Sequence, residues 1–418
     1  MKITKFIPGK TYVPVSGKVF NNEEINNATQ AAKDCWWTEG RWAKRFEKEF
    51  GEYLGQKHVS LVNSGSSANL VAVAALTNRI LGKKRLQPGD EYITCAVGFP
   101  TTLNPGIQHG LVPVFVDAEL DSLNIDVEKI EKAISKKTKL IMVAHTLGKP
   151  FNLDKIMQIA KKHDLWVIED CCDALGSRYD GKLLGTFGHI ATFSFYPAHQ
   201  ITMGEGGAIV TNKPLLHKSI RQFRDWGRDC WCDPGMDNTC GRRFTQQHGE
   251  LPMGYDHKYV YSQIGYNLKL TDFQAAIGVA QLKKLPSFIK KRRSNYAKLY
   301  AFFSKYPEYF RLLKTSSKED ACWFGFPVIV EENAPFTRTE LTSYLEGKKI
   351  GTRNVFSGNL LRHPAYLDLK KKRLVGKMNN ADIVMNRAFW LGVFPGIKQP
   401  QLKYVLKTLE IFIRQYQK

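Results

Sequence analysis

Short runs rich in β-branched residues alternate with helical segments from about residue 58 to 212. The runs are "HVSLVN", "EYITC", "VPVFVDA", "KLIMVAHT", "LWVIED", "ATFSF" and "GAIVTN", and patterns such as "SSANLVAVAALTNRIL" separate several of them. Apolar runs of this length bury both faces, and the intervening helices supply the cover. The pattern predicts an α/β fold with a mostly parallel, mixed sheet in a large domain. Ahead of it, "ATQAAKDCWW" and "GRWAKRFEKEFGEYLG" repeat apolar residues at helical spacing. Behind it comes an irregular stretch, about 221–262, rich in Cys, Gly, Asp and Arg. A long helical pattern starting "LTDFQAAIGVAQL" follows, then "WFGFPVIV", "TRTELTSYLEGKKI" and "ADIVMNRAFWLGVF". The expected division is a large domain over 1–290, carrying the Cys-rich insertion, and a small α/β domain over 291–418.

The chain has 418 residues, 43% of them hydrophobic, enough to bury a core of this size. No run approaches the ~18 consecutive apolar residues of a membrane helix. "MKITKFIPGKTYVPVSG" has neither an apolar core nor a small-residue cleavage site, so no signal peptide is read there. A cytoplasmic protein is expected, with no membrane partner and its eight cysteines reduced. The net charge of +22 suits phosphorylated substrates. Its basic residues are dispersed, and the densest run, Lys290 to Arg293, reads as a solvated helix face. No nucleic-acid motif accompanies it, so no nucleic-acid partner is expected.

Four local signals carry chemistry. In "VNSGSSANL", Gly65 and Ser66 stand between a strand and a helix, where backbone N–H groups and the helix dipole favour a phosphate; a plain capped helix explains the serines equally well. In "LWVIEDCCDALG", Asp170 ends a buried strand, where α/β sheets place ligands. A carboxylate there can hold a proton on a pyridine nitrogen, or simply cap the next helix. Phe99 in "VGFPTTLNP" can stack on a flat ring or belong to the core. In "ATFSFYPAHQITMGEGGAIVTN", Ser194 can reach a phosphate and "MGEGG" supplies a tight bend.

In order and spacing, "SGSSAN", "VIEDCCDA", "FSFYPAHQITMGEGGAIVTN" and "GYNLKLTDFQAAIGVAQL" resemble the nucleotide-sugar aminotransferases and dehydratases within the fold type I pyridoxal phosphate enzymes. The likeness runs from about residue 10 to the C-terminus. It implies that Gly65, Ser66 and Ser194 hold the cofactor phosphate, that Phe99 stacks on its ring and that Asp170 pairs with its nitrogen. It also implies a homodimer in which Asn267 reaches the partner's phosphate.

Aminotransferases of that family carry lysine at the position of His199. An imidazole cannot make the lysine's stable covalent link to pyridoxal phosphate, yet it remains a base near neutral pH. The change therefore implies pyridoxamine 5'-phosphate bound without a covalent anchor, and dehydration of a keto-sugar in place of amino transfer. The resemblance adds Tyr196 and Asp173 to the catalytic group. A buried tyrosine and a helix-start carboxylate are the plain alternatives for these two.

"DCWCDPGMDNTC" contains Cys230, Cys232 and Cys240, with Cys172 upstream beside Asp170. Four thiolates can bind [2Fe–2S], [4Fe–4S] or Zn²⁺, and spacing alone leaves these open. The arrangement resembles the iron–sulfur 3-dehydratases of the family, which implies a [2Fe–2S] cluster on Cys172, Cys230, Cys232 and Cys240, with vicinal Cys171 the less favoured ligand. It further implies a CDP-linked 4-keto-6-deoxy sugar as substrate and a separate NADH-dependent iron–sulfur flavoprotein reductase as partner. A cluster-free dehydratase of a GDP-linked keto-sugar is the nearest alternative, and an ordinary aminotransferase the next. Cys35, Cys95 and Cys322 are expected to be buried apolar residues. Arg353, Arg362 and His363 are candidate substrate contacts in a C-terminal loop.

Overall fold

A computed structural model describes residues 6–417; the first five residues of the segment read for a signal peptide lie outside them. At the centre is an eight-stranded sheet. Its order is His58–Val62, Gly207–Thr211, Ile190–Ser194, Trp166–Asp170, Thr138–Ala144, Glu91–Cys95, Val112–Val116, Arg373–Val375. Neighbours run parallel except at Gly207–Thr211, which is antiparallel to the strands on both sides. Strands such as Glu91–Cys95 and Ile190–Ser194 are buried throughout, so both faces of the sheet are covered. The helix Gly65–Leu76 is apolar on all sides because it lies between the strands Ile190–Ser194 and Gly207–Thr211 and the helices Pro100–Gln108 and Pro214–Arg224.

The C-terminal part forms a four-stranded antiparallel sheet in the order Phe310–Arg311, Gly325–Val330, Ala388–Gly392, Thr352–Asn354. Helices Arg338–Gly347 and Asn379–Arg387 pack on it. Its partition from the rest is not a clean cut. The expected division at 290 falls inside one continuous helix, Asp272–Phe303. The edge strand Arg373–Val375 also returns to the large sheet, where Arg373 grips Glu91 through two bonds of 2.8 Å.

The long helix starts where Thr271 and Gln274 form a capping box. Its Asp272 also serves another helix: the carboxylate accepts the N–H groups of Gly40, Trp42 and Ala43 at 2.8, 3.1 and 2.9 Å. Helix Arg41–Leu54 has only Gly40 at its N-cap, so Asp272 supplies the missing acceptor.

Three expectations are corrected. The helix Asn22–Lys33 stops before "DCWW", because Asp34 turns to Arg41 Nε (2.6 Å) and Trp42 Nε1 (3.1 Å) while Cys35 takes a left-handed φ of 54°. Cys35 is consequently exposed, whereas Cys95 and Cys322 are buried as expected. The basic run at 290–293 is not wholly solvated: the helical period turns Arg292 inward, leaving it 1% exposed. Among the described residues, no helix is long and apolar enough to cross a membrane.

Candidate active site

A cavity of about 620 Å³ opens where the parallel strands end. Asp170 and Ser194 close two of those strands, and Gly65 and Phe99 follow two others. Phe324, Arg353, Asn354 and Trp390 of the C-terminal part make the opposite wall.

Asp170 is 4% exposed. Its Oδ2 accepts from Asn69 Nδ2 at 2.8 Å and Thr102 Oγ1 at 2.7 Å, and its Oδ1 from the Cys172 N–H at 3.1 Å. Thr192 Oγ1 in turn donates to Asn69 Oδ1 at 2.6 Å, which fixes the amide with its NH₂ toward the carboxylate. Asn69, Thr102 and Thr192 escaped the sequence reading. The one available signal was a buried Asn in the otherwise apolar helix "GSSANLVAVAAL".

Gly65 and Ser66 open that helix, and Ser64 caps it by accepting the Ser67 N–H at 3.0 Å. A Cβ at Gly65 would collide with Ser194 and stand 3.0 Å from Cys172 Sγ, so only glycine lets the helix start this close to the strand end. Phe99, half exposed, stands at the rim as the cap residue of helix Pro100–Gln108. A helix start with free space before it, a hydroxyl at Ser194, an available aromatic face and a buried, triply bonded carboxylate fit a phosphorylated pyridine. These residues would hold its phosphate, stack on its ring and pair with its ring nitrogen.

His199 lies on the same cavity, its ring 5.2 Å from that of Phe324. Its Nδ1 is buried without a hydrogen-bond partner and lies 3.6 Å from Asp173 Oδ1. Burial, then the nearby Arg292 cation, pushes His199 down to about 3, so the ring is neutral. Burial, then Asp170, pushes Asp173 up to about 8. Arg292 itself is brought down to about 10 by burial. Tyr196, also on the cavity, is about half exposed.

The cysteines divide. Cys230, Cys232 and Cys240 line one small hollow in the insertion, together with His257, whose Nδ1 is 4.0 Å from Cys240 Sγ. Thr239 Oγ1, 3.0 Å from Cys232 Sγ, helps bring that thiol below its ordinary value against the opposing effect of burial. Cys172 lines the large cavity instead, and burial, then Asp170, pushes its thiol well up. Cys171 lies wholly buried beside His145 and Glu169. Three thiols facing one hollow fit the donor set of a cluster. Among the described residues, the fourth expected thiol is not found at that hollow.

Arg353 lines the cavity, as expected. Arg362 and His363 do not: Arg362 is held by Asp382 at 2.7 Å, and His363 Nε2 lies 2.8 Å from the Ser357 carbonyl. Asn267 lies outside the cavity, where its Oδ1 accepts from Lys269 Nζ at 2.9 Å.

Residues 19–410 match the model of the DegT/DnrJ/EryC1/StrS aminotransferase family. The chain is 52% identical over 407 residues to the lipopolysaccharide biosynthesis protein RfbH of Salmonella typhimurium, covering 97% of this chain and 93% of that one. It is 48% identical over 408 residues to the dTDP-4-dehydro-2,6-dideoxy-D-glucose 3-dehydratase of Saccharopolyspora spinosa, covering 98% and 88%. Among solved structures, it resembles the E. coli GDP-4-keto-6-deoxy-D-mannose-3-dehydratase with bound hydrated PLP. That likeness has a TM-score of 0.84 at 29% identity and covers 96% of this chain and all of that one.

Proposed function

Because the chain belongs to the DegT/DnrJ/EryC1/StrS aminotransferase family, we propose that it is a pyridoxamine-phosphate-dependent 3-dehydratase of a nucleotide-linked 4-keto-6-deoxy sugar. The observation that carries this reading is His199. A neutral imidazole, not a lysine, lines the same cavity as Asp170. It can move a proton, and it cannot anchor the cofactor or complete amino transfer. The cofactor, when bound, supplies an amine to join the keto group and a ring that accepts electrons.

The protein's own residues divide the remaining work. Asp170, oriented by Asn69, Thr102 and the Cys172 amide, holds a positive charge at the ring nitrogen. The Gly65–Ser66 helix start and Ser194 hold the phosphate, and Phe99 covers the ring. His199 takes up and returns a proton, and Asp173 lies beside its buried Nδ1. Tyr196, at the cavity's exposed side, joins them in catalysis. Arg353, a cation on the substrate wall, suits the diphosphate of a nucleotide sugar.

We further propose CDP-4-dehydro-6-deoxyglucose as the substrate, within 3,6-dideoxyhexose synthesis for the lipopolysaccharide O-antigen. The chain would then carry a [2Fe–2S] cluster on Cys230, Cys232, Cys240 and Cys172 and receive electrons from a separate NADH-dependent iron–sulfur flavoprotein. A homodimer would place Asn267 at the partner's phosphate. The thiols sharing one hollow support the cluster; the identity to RfbH supports the biosynthetic setting. A dehydratase without the cluster is the second reading, favoured by the placing of Cys172 in the cofactor cavity.

Anaerobic purification followed by iron and sulfide analysis and EPR of the reduced protein separates the two. About two irons per chain is the expected result, and iron-free protein that still dehydrates the sugar overturns the cluster. Mass spectrometry of the product tests the reaction class, since loss of the 3-hydroxyl supports dehydration and an aminated sugar refutes it.

A further inference from the structure

Arg292 is among the largest fully buried side chains of the molecule. Its four hydrogen bonds all run to backbone carbonyls. Nη1 donates to Trp323 O at 3.2 Å and Phe324 O at 3.1 Å; Nη2 donates to His199 O at 2.8 Å and Ala198 O at 3.4 Å. One planar guanidinium thus joins the loop that carries His199 to the segment leading into strand Gly325–Val330. That segment is itself pinned, with the Cys322 N–H on Ser177 Oγ at 2.8 Å and the Phe324 N–H on Leu147 O at 2.9 Å. Gln200 adds a second tie from the loop, donating to the Cys322 carbonyl at 3.1 Å and to that of Asp173.

Burying a guanidinium is costly unless its donors are met by well-placed acceptors. A lysine presents a point charge with rotatable donors and cannot span the two carbonyl pairs with the same geometry. The His199 ring has no hydrogen bond at Nδ1 to orient it. The ring packs against Phe324 and lies near the Cys172 backbone and Asp173, and Arg292 holds the carbonyls of both His199 and Phe324.

We propose that Arg292 is the positioning residue for the catalytic base: it fixes the His199 loop against Phe324, so that the imidazole meets the reacting atoms at productive distance. This rests on reading His199 as the base.

The test compares wild type, Arg292→Lys and Arg292→Met, each with pyridoxamine phosphate bound. Hydrogen exchange is followed over residues 196–203. There the His199 N–H donates to Tyr196 O at 3.0 Å and the Met203 N–H to Phe195 O at 2.8 Å. In Arg292→Met, exchange in this segment speeds up while the central strands stay protected. kcat falls about 100-fold, the scale of an ~1 Å misplacement, with KM within about twofold, and Arg292→Lys recovers part of the loss. If either the exchange or kcat stays at the wild-type value, the proposal is overturned. If Arg292→Met does not fold, the same two readouts on Arg292→Lys decide. Absence of dehydration by wild type would refute the functional reading alone, because the exchange comparison needs no turnover.

Discussion

His199 Nδ1 lies 3.6 Å from Asp173 Oδ1, and the two groups hold their proton in the opposite sense to free side chains: the carboxyl is pushed up to about 8 and the imidazole down to about 3. At neutral pH both groups are therefore uncharged, a protonated carboxyl beside an imidazole with one ring nitrogen free to accept a proton. Removing the carboxyl leaves the base without its proton partner. Asp173→Asn is expected to lower kcat by about 100-fold, the lower end of acid–base contributions, with the cofactor still bound. Steady-state kinetics beside an equilibrium titration with pyridoxamine phosphate check both parts.

Replacing the imidazole by a primary amine restores the missing nucleophile. His199→Lys is expected to link covalently to pyridoxal phosphate, giving a changed absorbance and an adduct fixed by borohydride, and to shift products toward an amino sugar. An unaltered spectrum on adding pyridoxal phosphate counts against this.

Asp170 owes its orientation to Asn69 and Thr102. Asn69→Ala removes one donor from a buried carboxylate and frees Thr192 from its acceptor. Cofactor affinity is expected to fall about tenfold, on the order of one lost buried hydrogen bond. Fluorescence titration measures it, and unchanged affinity refutes the network's role.

Three buried histidines weigh against stability in acid. Burial is the leading cause for each: His189 is lowered to about 4, His217 to about 4 and His199 to about 3, from an ordinary 6.5. Between pH 6.5 and 4 these three bind protons in the unfolded chain and not in the native one. They outnumber Asp173 and Glu47, whose raised values of about 8 and about 7 pull the opposite way, so unfolding free energy falls as pH falls. The melting temperature should drop through that window. His217→Gln, at the ring stacked on His58, should flatten the slope by about one proton. An equal slope in the variant would assign the acid sensitivity elsewhere.

The central sheet was legible because strand-length apolar runs alternating with helices admit few arrangements. Gly65, Asp170, Ser194 and His199 were legible because each sits in a local motif at a strand end. What stayed hidden is held together across long sequence distances. Asn69 and Thr102 meet Asp170 from 101 and 68 residues away. Arg292 looked like one member of a solvated basic run, since neighbouring charges mask which of them the helical period turns inward. The edge strand Arg373–Val375 gave too short a signal to be placed in the large sheet. The separation of Cys172 from the other three thiols depends on where the insertion folds, which irregular sequence does not encode in any simple period.

Arg292 grips carbonyl oxygens, and carbonyls are the same whatever side chain the residue bears. The clamp is therefore blind to what stands at position 199. An exchange of imidazole for amine at that position therefore leaves the loop's anchoring carbonyls in place, and the architecture around the cavity does not depend on which base the loop presents.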